Sequence, residues 1–239
     1  MPAQVPPEAQ SIGMARGRLS ASSLTTFLRC EKQWFLNYRI GLRGPLSPHQ
    51  VMGIEVEDAF CSILMHRPPA VDDLDGLKQW LFGLVEKQAK DAISKGREIF
   101  SDALWSDGDF EESFNLDLVS QMLRNGILLQ LEEVKACFEA GGGDFDFGIP
   151  APCWDRPPHY TQPNKTNSMV AWKDEKHEFS ETITWQDAWE IARPWVKDPR
   201  NPEPQRMYHR DRWAAGECDL VLRWDGNVRI IDIKMGDGG

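Results

Sequence analysis

The stretch that most constrains the fold lies at residues 216–239, which read GECDLVLRWDGNVRIIDIKMGDGG. Apolar and polar residues alternate over 219–224, a period of two that is typical of a half-buried β-strand. Asp225-Gly226 follows, and this dipeptide is the strongest short-range signal for a two-residue hairpin turn. Residues 228–234 then form the returning strand. The sequence therefore predicts a β-hairpin.

The length of the turn sets which residues face each other. With a two-residue turn, Asp219 lies directly opposite Asp232, and Lys234 lies on the same face. Opposed carboxylates destabilise a sheet, whereas a divalent cation between them would make a binding site, because carboxylate oxygen suits Mg²⁺ and Mn²⁺. The alternative is an ordinary solvated strand face. A three-residue turn over 225–227 would slip the register by one and separate the two aspartates.

The spacing of Gly-x-x-Asp and a later Asp-x-Lys-x-Gly resembles the core motif of the PD-(D/E)XK nuclease superfamily. It is most similar to the RecB-like branch, which includes the CRISPR-associated exonucleases and the nuclease domains of bacterial helicase–nucleases. Gly216 and Asp219 match the first part of the motif, and Asp232, Lys234 and Gly236 match the second. The resemblance implies an α/β, restriction-endonuclease-like core over residues 19–239. This core would be a small mixed sheet flanked by helices, with a largely helical insertion at about 68–187, where the match fades.

The resemblance also implies a set of catalytic residues. Asp219 and Asp232 would hold Mg²⁺ or Mn²⁺, with the backbone carbonyl of Ile233 as a further ligand. Lys234 would position the attacking water or balance charge in the transition state.

An early helix departs from the pattern of the resembled branch. Its members carry Gly-x-x-x-His, with the histidine reaching the metal, whereas here Gly53 is followed by Glu57 at that position. We interpret Glu57 as a metal ligand, since carboxylate oxygen binds Mg²⁺ well. The alternative is a surface glutamate on a degenerate site.

Residues 20–34 follow the pattern S-x-S-S-L-x-x-F-x-x-C-x-x-x-W, which is similar to the first helix of the same branch. In many of its members that cysteine is one of four iron–sulfur ligands. Here Cys30 holds the position, Glu31 replaces the usual proline, and no cysteine follows Cys218. One thiolate cannot hold a cluster that needs four. We therefore predict Cys30 to be a buried, inert remnant, without an iron–sulfur cluster.

Apolar residues at helical spacing predict helices over 19–38, 51–65, 71–100 and 111–140, and a short one over 185–196. Residues 1–18 read as a disordered leader, and 151–180 as a long surface loop. Within that loop Cys153, His159 and His177 fit no zinc spacing. No apolar run is long enough to span a membrane. Five scattered cysteines favour a reducing, intracellular (cytoplasmic) compartment.

Charge is unevenly distributed. The formal net charge of -10 argues against a general nucleic-acid binder. Residues 193–212, however, contain more basic than acidic side chains and lead into the hairpin. Arg206, Arg210 and Arg212 are therefore the predicted DNA contacts. A solvated loop with salt bridges is the alternative.

These patterns predict a metal-dependent DNA nuclease, an exonuclease by resemblance, that acts in repair, recombination or defence. The expected partners are DNA and a helicase or other repair protein, without a membrane. One alternative is a catalytically silent nuclease-like module that binds DNA or a helicase partner, and another is a metal phosphoesterase for small substrates. Members of the branch continue into a helix carrying Gln-x-x-x-Tyr, which is missing here. We therefore expect a fragment or a curtailed homologue.

Overall fold

The computed structural model describes residues 20–42, 44, 46–100, 110–112, 114–142, 181–196, 207–208, 215–216, 218–222, 224–225, 227 and 229–234. They fall into two compact units. The N-terminal unit contains the described residues of 20–44, 207–208 and 215–216, and the helical unit contains the others. The predicted leader at 1–18, the loop at 151–180 with Cys153, His159 and His177, and the arginines 206, 210 and 212 lie outside the described residues.

The helices and strands, in chain order, are α1 (Ala21–Arg29), α2 (Glu31–Trp34), a π-helical turn (Phe35–Ile40), α3 (Pro48–Leu64), α4 (Leu74–Phe100), α5 (Leu116–Glu139), α6 (Trp185–Ala192), β1 (Trp195–Val196), β2 (Met207–Tyr208), β3 (Ala215–Gly216), β4 (Leu220–Leu222) and β5 (Arg229–Ile231).

The N-terminal unit begins with a capped helix. The Ser20 side chain accepts a hydrogen bond from the Ser23 N–H and so starts α1, as the serine-rich sequence predicts. The single helix predicted over 19–38 is wrong, because Cys30 adopts an extended conformation (φ −160°, ψ 103°). Its sulfur accepts from the Gln33 N–H, so this residue both ends α1 and caps α2.

The helical unit is built on α3, α4 and α5, which pack against one another, and α6 packs on α5. Ser47 and Gln50 form a capping box that starts α3. α5 ends at Glu139 and is followed by Gly141 and Gly142, whose φ angles of 68° and 93° suit glycine. The fully buried side chains at the centre include Val56, Ile63, Leu64, Leu77, Leu81, Val119, Leu123, Val134 and Trp189.

The predicted α/β, restriction-endonuclease-like core is wrong, because the described residues are mostly helical. Their strands are two or three residues long, and every pairing among them is antiparallel. The helical unit has one sheet of order β1-β4-β5, and β2 pairs with β3 in the N-terminal unit. The physical reason is that α3 to α6 bury their apolar faces mainly against one another. The described sheet therefore adds to a helical core and does not form its centre.

A buried arginine, Arg193, links α6 to the end of α3. Arg193 directly follows α6, is 3% exposed, and bonds to the Glu190 carboxylate. Its guanidinium also donates to the backbone carbonyls of Met65 and His66, at 3.1 and 3.3 Å. These carbonyls lie just beyond the last turn of α3, where a cation is favourable. Arg193 therefore belongs to the core and not to a phosphate-binding surface, a correction to its place in the predicted basic segment.

Candidate active site

The hairpin has the register of a two-residue turn. Leu220 pairs with Ile231, and the pairing continues toward the turn without a slip. Asp219 precedes the first of these residues and Asp232 follows the second, so the two aspartates lie opposite each other. The predicted register is confirmed, and the three-residue alternative is excluded. The predicted half-buried alternation is wrong, because all three residues of β4 are buried.

Two short polar contacts organise the end of the hairpin. One carboxylate oxygen of Asp219, Oδ2, accepts a hydrogen bond of 2.6 Å from the Ile233 N–H. Lys234 Nζ lies 2.6 Å from Asp232 Oδ2. Asp219 is half-buried, whereas Asp232 and Lys234 are exposed. The Ile233 side chain packs on the core, which anchors the backbone between the two charged residues.

The surroundings push the pKa values of the two carboxyls apart. Burial raises the pKa of Asp219, and the adjacent Asp232 adds to this rise, while the hydrogen bond from Ile233 opposes it. The hydrogen bond from Lys234 lowers the pKa of Asp232, against the effect of its slight burial. Asp232 is thus the readily ionised carboxylate, and Asp219 is the one that resists a second negative charge at the same place.

Glu57 reaches the same group of charges from α3. It is half-buried, and it lies one residue beyond Val56, which is fully buried. The pKa of Lys234 is raised first by its hydrogen bond to Asp232 and also by the negative charges of Asp232, Asp219 and Glu57. The negative charge of Glu57 therefore acts on Lys234, whose raised pKa favours the protonated form, while the role of Glu57 as a metal ligand stays a prediction.

The donor atoms at this site are hard oxygens. Asp219 and Asp232 supply carboxylates on facing strand ends, a set that suits Mg²⁺ or Mn²⁺ better than a softer metal. Within the described ranges no group of three or more His, Cys, Asp or Glu side chains is arranged to hold a metal ion. The two aspartates are thus the donors that lie together, and the charge of Glu57 contributes to the raised pKa of Lys234.

A clamp that the sequence did not reveal holds the hairpin on α5. Glu133 accepts two hydrogen bonds from the Arg229 guanidinium, at 2.7 and 2.8 Å, and one of 2.9 Å from the Trp224 indole. Arg229 also lies 3.2 Å from Asp225 in the turn. The hydrogen bond from Arg229 lowers the pKa of Glu133. The hairpin partners of Glu133 lie more than 90 residues away in the sequence. The local sequence shows only a glutamate beside the apolar stripe of α5, which does not indicate a partner.

The four described cysteines differ in how exposed they are. Cys30, predicted to be buried, is exposed at the break between α1 and α2. Cys61 and Cys137 are buried, and burial raises the pKa of Cys137 to about 12. The structure places Cys218, half-buried, one residue before Asp219. The expectation that this chain holds no iron–sulfur cluster stays a prediction.

No protein-family model, no curated protein and no solved structure matches this chain. None of the helices in the described ranges combines the length and apolar character needed to cross a membrane.

Proposed function

We propose that this chain is a divalent-metal-dependent deoxyribonuclease that hydrolyses phosphodiester bonds, with an exonuclease as the finer assignment. The observation that supports it best is the hairpin register, which places Asp219 opposite Asp232 with Lys234 bonded to the latter. These are the residues of the motif on which the resemblance rests. These residues come together only if the strands pair in the correct register. The register therefore supports a site independently of the residue types in the motif.

In this proposal Asp219 and Asp232 hold the metal ion, with the Ile233 carbonyl as a third oxygen. When bound, Mg²⁺ or Mn²⁺ would polarise the scissile phosphate and lower the pKa of a water molecule. The Ile233 N–H donates to Asp219 Oδ2 and so restrains this carboxylate, which interacts with Asp232. Because burial and the neighbouring carboxylate raise the pKa of Asp219, a cation between the two carboxylates would relieve a repulsion that the fold already contains.

Lys234 acts as a cation in this proposal. Its neighbours raise its pKa, with Asp232 as the first cause, so it is a poor base at neutral pH. Its ammonium group can donate hydrogen bonds to the attacking water and balance the negative charge that develops on the phosphate. The negative charge of Glu57 contributes to the raised pKa of Lys234. We therefore assign Glu57 as the acid from α3 that completes the site.

A catalytically silent module that binds DNA or a helicase partner is the second candidate. Two observations favour it: Lys234 is ion-paired with Asp232, and no group of three metal-ligating side chains forms among the described residues. A silent module would keep the hairpin as a structural element and need not bind Mn²⁺.

The test uses the full chain with end-labelled single- and double-stranded DNA in Mn²⁺, Mg²⁺ or EDTA. We expect cleavage that needs the metal and that falls by about two to three orders of magnitude in Lys234→Ala, the scale of losing one group that stabilises transition-state charge. A matched control is Lys95→Ala, which removes an exposed lysine from α4. The product ladder separates digestion from an end from internal cleavage.

Two results would contradict the nuclease. One is cleavage that persists at full rate in Lys234→Ala, because a contaminating enzyme would then be its source. The other is a folded protein that neither cleaves DNA nor binds Mn²⁺ by calorimetry, which supports the silent module. Turnover of a small phosphodiester without cleavage of DNA would identify the phosphoesterase alternative.

A further inference from the structure

The N-terminal unit exposes large apolar side chains close to one another in sequence. Phe27 is 37% exposed and Phe35 is 50% exposed. Leu24 and Leu28 extend the apolar surface of α1, with Leu28 76% exposed. Apolar side chains at this spacing normally face a core. Here they lie on the surface of the unit, and exposed apolar patches of this kind mark interaction sites.

The aromatic part of this surface is held rigidly. Trp34 donates from its indole N–H to Ser23 Oγ at 2.8 Å. The ring of Phe27 meets it edge-on, with centroids 5.3 Å apart, and the Arg39 guanidinium lies over it at 5.2 Å. A pre-ordered aromatic side chain loses little conformational entropy on binding. Phe27 therefore presents ring surface next to a fixed support, and Phe35, which directly follows Trp34 in the chain, exposes half of its surface.

The exposed charged side chains of α1, α2 and the π-helical turn are mostly positive. Arg29, Lys32 and Arg39 are exposed basic residues on α1, α2 and the π-helical turn, and Glu31 is the acidic residue among them. The whole chain carries a formal charge of -10, so this basic surface stands out from an acidic background. A two-fold contact between copies would set like charges against each other, which disfavours a second copy as the occupant.

We propose that the exposed residues Phe27, Phe35, Arg29, Lys32 and Arg39 of α1, α2 and the π-helical turn, which we call the aromatic–basic surface, bind single-stranded DNA. Bases stack on exposed aromatic rings while basic side chains follow the phosphates, and this combination binds single strands without reading their sequence. The choice of DNA rests on the proposed function. The binding itself needs no metal ion and no hydrolysis, so it can be tested separately from catalysis.

The experiment measures the anisotropy of fluorescein-labelled oligothymidylate with the full chain in EDTA. Phe35→Leu removes the ring but keeps an apolar side chain, and we expect binding weaker by roughly 5- to 100-fold. Arg29→Gln combined with Lys32→Gln should make the plot of log affinity against log salt shallower by about 0.7 for each phosphate that the variant no longer neutralises. This second variant keeps every aromatic ring in place and so does not depend on the folding of Phe35→Leu.

The matched controls are Leu129→Ala, an exposed apolar residue of α5, and Lys95→Gln on α4. Both should bind as the unmodified chain does. Binding is measured in EDTA, where a metal-dependent nuclease does not cleave, so loss of binding in the variants of the aromatic–basic surface and loss of cleavage in Lys234→Ala are separate results. Unchanged affinity and salt slope in the Phe35 and Arg29/Lys32 variants would overturn the proposal. If Phe35→Leu instead dissolved a self-associated form seen by light scattering, the surface would be a protein contact and the proposal would be wrong.

Discussion

At the scale of single residues, Glu133 links the hairpin to the helical core. It has three hydrogen bonds to two hairpin side chains, Arg229 and Trp224, and it is only partly exposed. Removing its charge leaves Arg229 without its principal partner. The cost is smaller than for a fully buried pair, because 38% of the Arg229 side chain remains exposed.

We expect Glu133→Gln to lower the free energy of unfolding by about 1–2 kcal/mol. Urea denaturation at neutral pH measures this change. Glu132→Gln removes an exposed charge from the same turn of α5 and should change stability by less than about 0.5 kcal/mol. Equal effects of the two substitutions would show that the clamp contributes nothing specific.

The same pair predicts a dependence on pH. Arg229 lowers the pKa of Glu133 in the folded protein below its ordinary value of 4.5. An acid of this kind contributes stability above its unfolded-state pKa and loses it as the pH falls through the folded-state value. The difference in stability between the unmodified chain and Glu133→Gln should therefore be full at neutral pH and shrink below pH 4.5. A difference that stays constant to low pH would contradict the ion pair.

At the scale of elements, α3 and α5 approach closely where Gly126 meets Phe60. A Cβ atom built on Gly126 would lie 2.9 Å from Cε2 of the Phe60 ring, which is 5% exposed and has little room to move. Overpacking of this kind costs about 1–3 kcal/mol. In α4, by contrast, a Cβ atom on Gly83 would meet nothing within 4 Å.

We expect two glycine-to-alanine substitutions to change the stability of the protein in opposite directions. Gly126→Ala should destabilise the protein, because the clash exceeds the gain in helix propensity. Gly83→Ala should stabilise it by about 0.4–1 kcal/mol, since it reduces the entropy of the unfolded chain without a clash. Thermal unfolding of both variants measures whether each substitution raises or lowers the melting temperature. A stabilising Gly126→Ala would mean that the α3–α5 contact is looser than described.

At the scale of the whole molecule, metal binding and stability are linked. Asp219→Asn can still accept the Ile233 hydrogen bond through its amide oxygen, but it removes one of the two facing negative charges. Without metal this variant should be more stable than the unmodified chain, by about 0.2–1 kcal/mol, because opposed like charges destabilise a sheet. With Mn²⁺ the unmodified chain should be more stable than Asp219→Asn.

The reversal follows from mass action. A ligand that binds only the folded state stabilises it by about 2.7 kcal/mol at a hundred times its dissociation constant. Mn²⁺ should therefore raise the melting temperature of the unmodified chain and leave that of Asp219→Asn unchanged. Asp91→Asn, an exposed change on α4, should respond to Mn²⁺ as the unmodified chain does. If Mn²⁺ stabilised the unmodified chain and Asp219→Asn equally, the hairpin would not be the metal site.

Local patterns in the sequence determined much of the architecture. The helical period located α3, α4 and α5, and the Asp225-Gly226 turn predicted the register that opposes Asp219 to Asp232. These features depend on neighbours within a few residues, so their signals are present in the linear chain. The break at Cys30 was missed, because a cysteine in an apolar repeat carries no local sign that it will end one helix and cap the next.

Only the tertiary structure decided the remainder. It replaced the expected mixed sheet with a helical core, because the helices could bury their faces against one another. It buried Arg193 within the core and clamped the hairpin through Glu133, two outcomes set by partners more than 90 residues away. It also left Phe27 and Phe35 exposed. Burial and long-range pairing depend on which surfaces meet, and that information is not contained in any single stretch of the sequence.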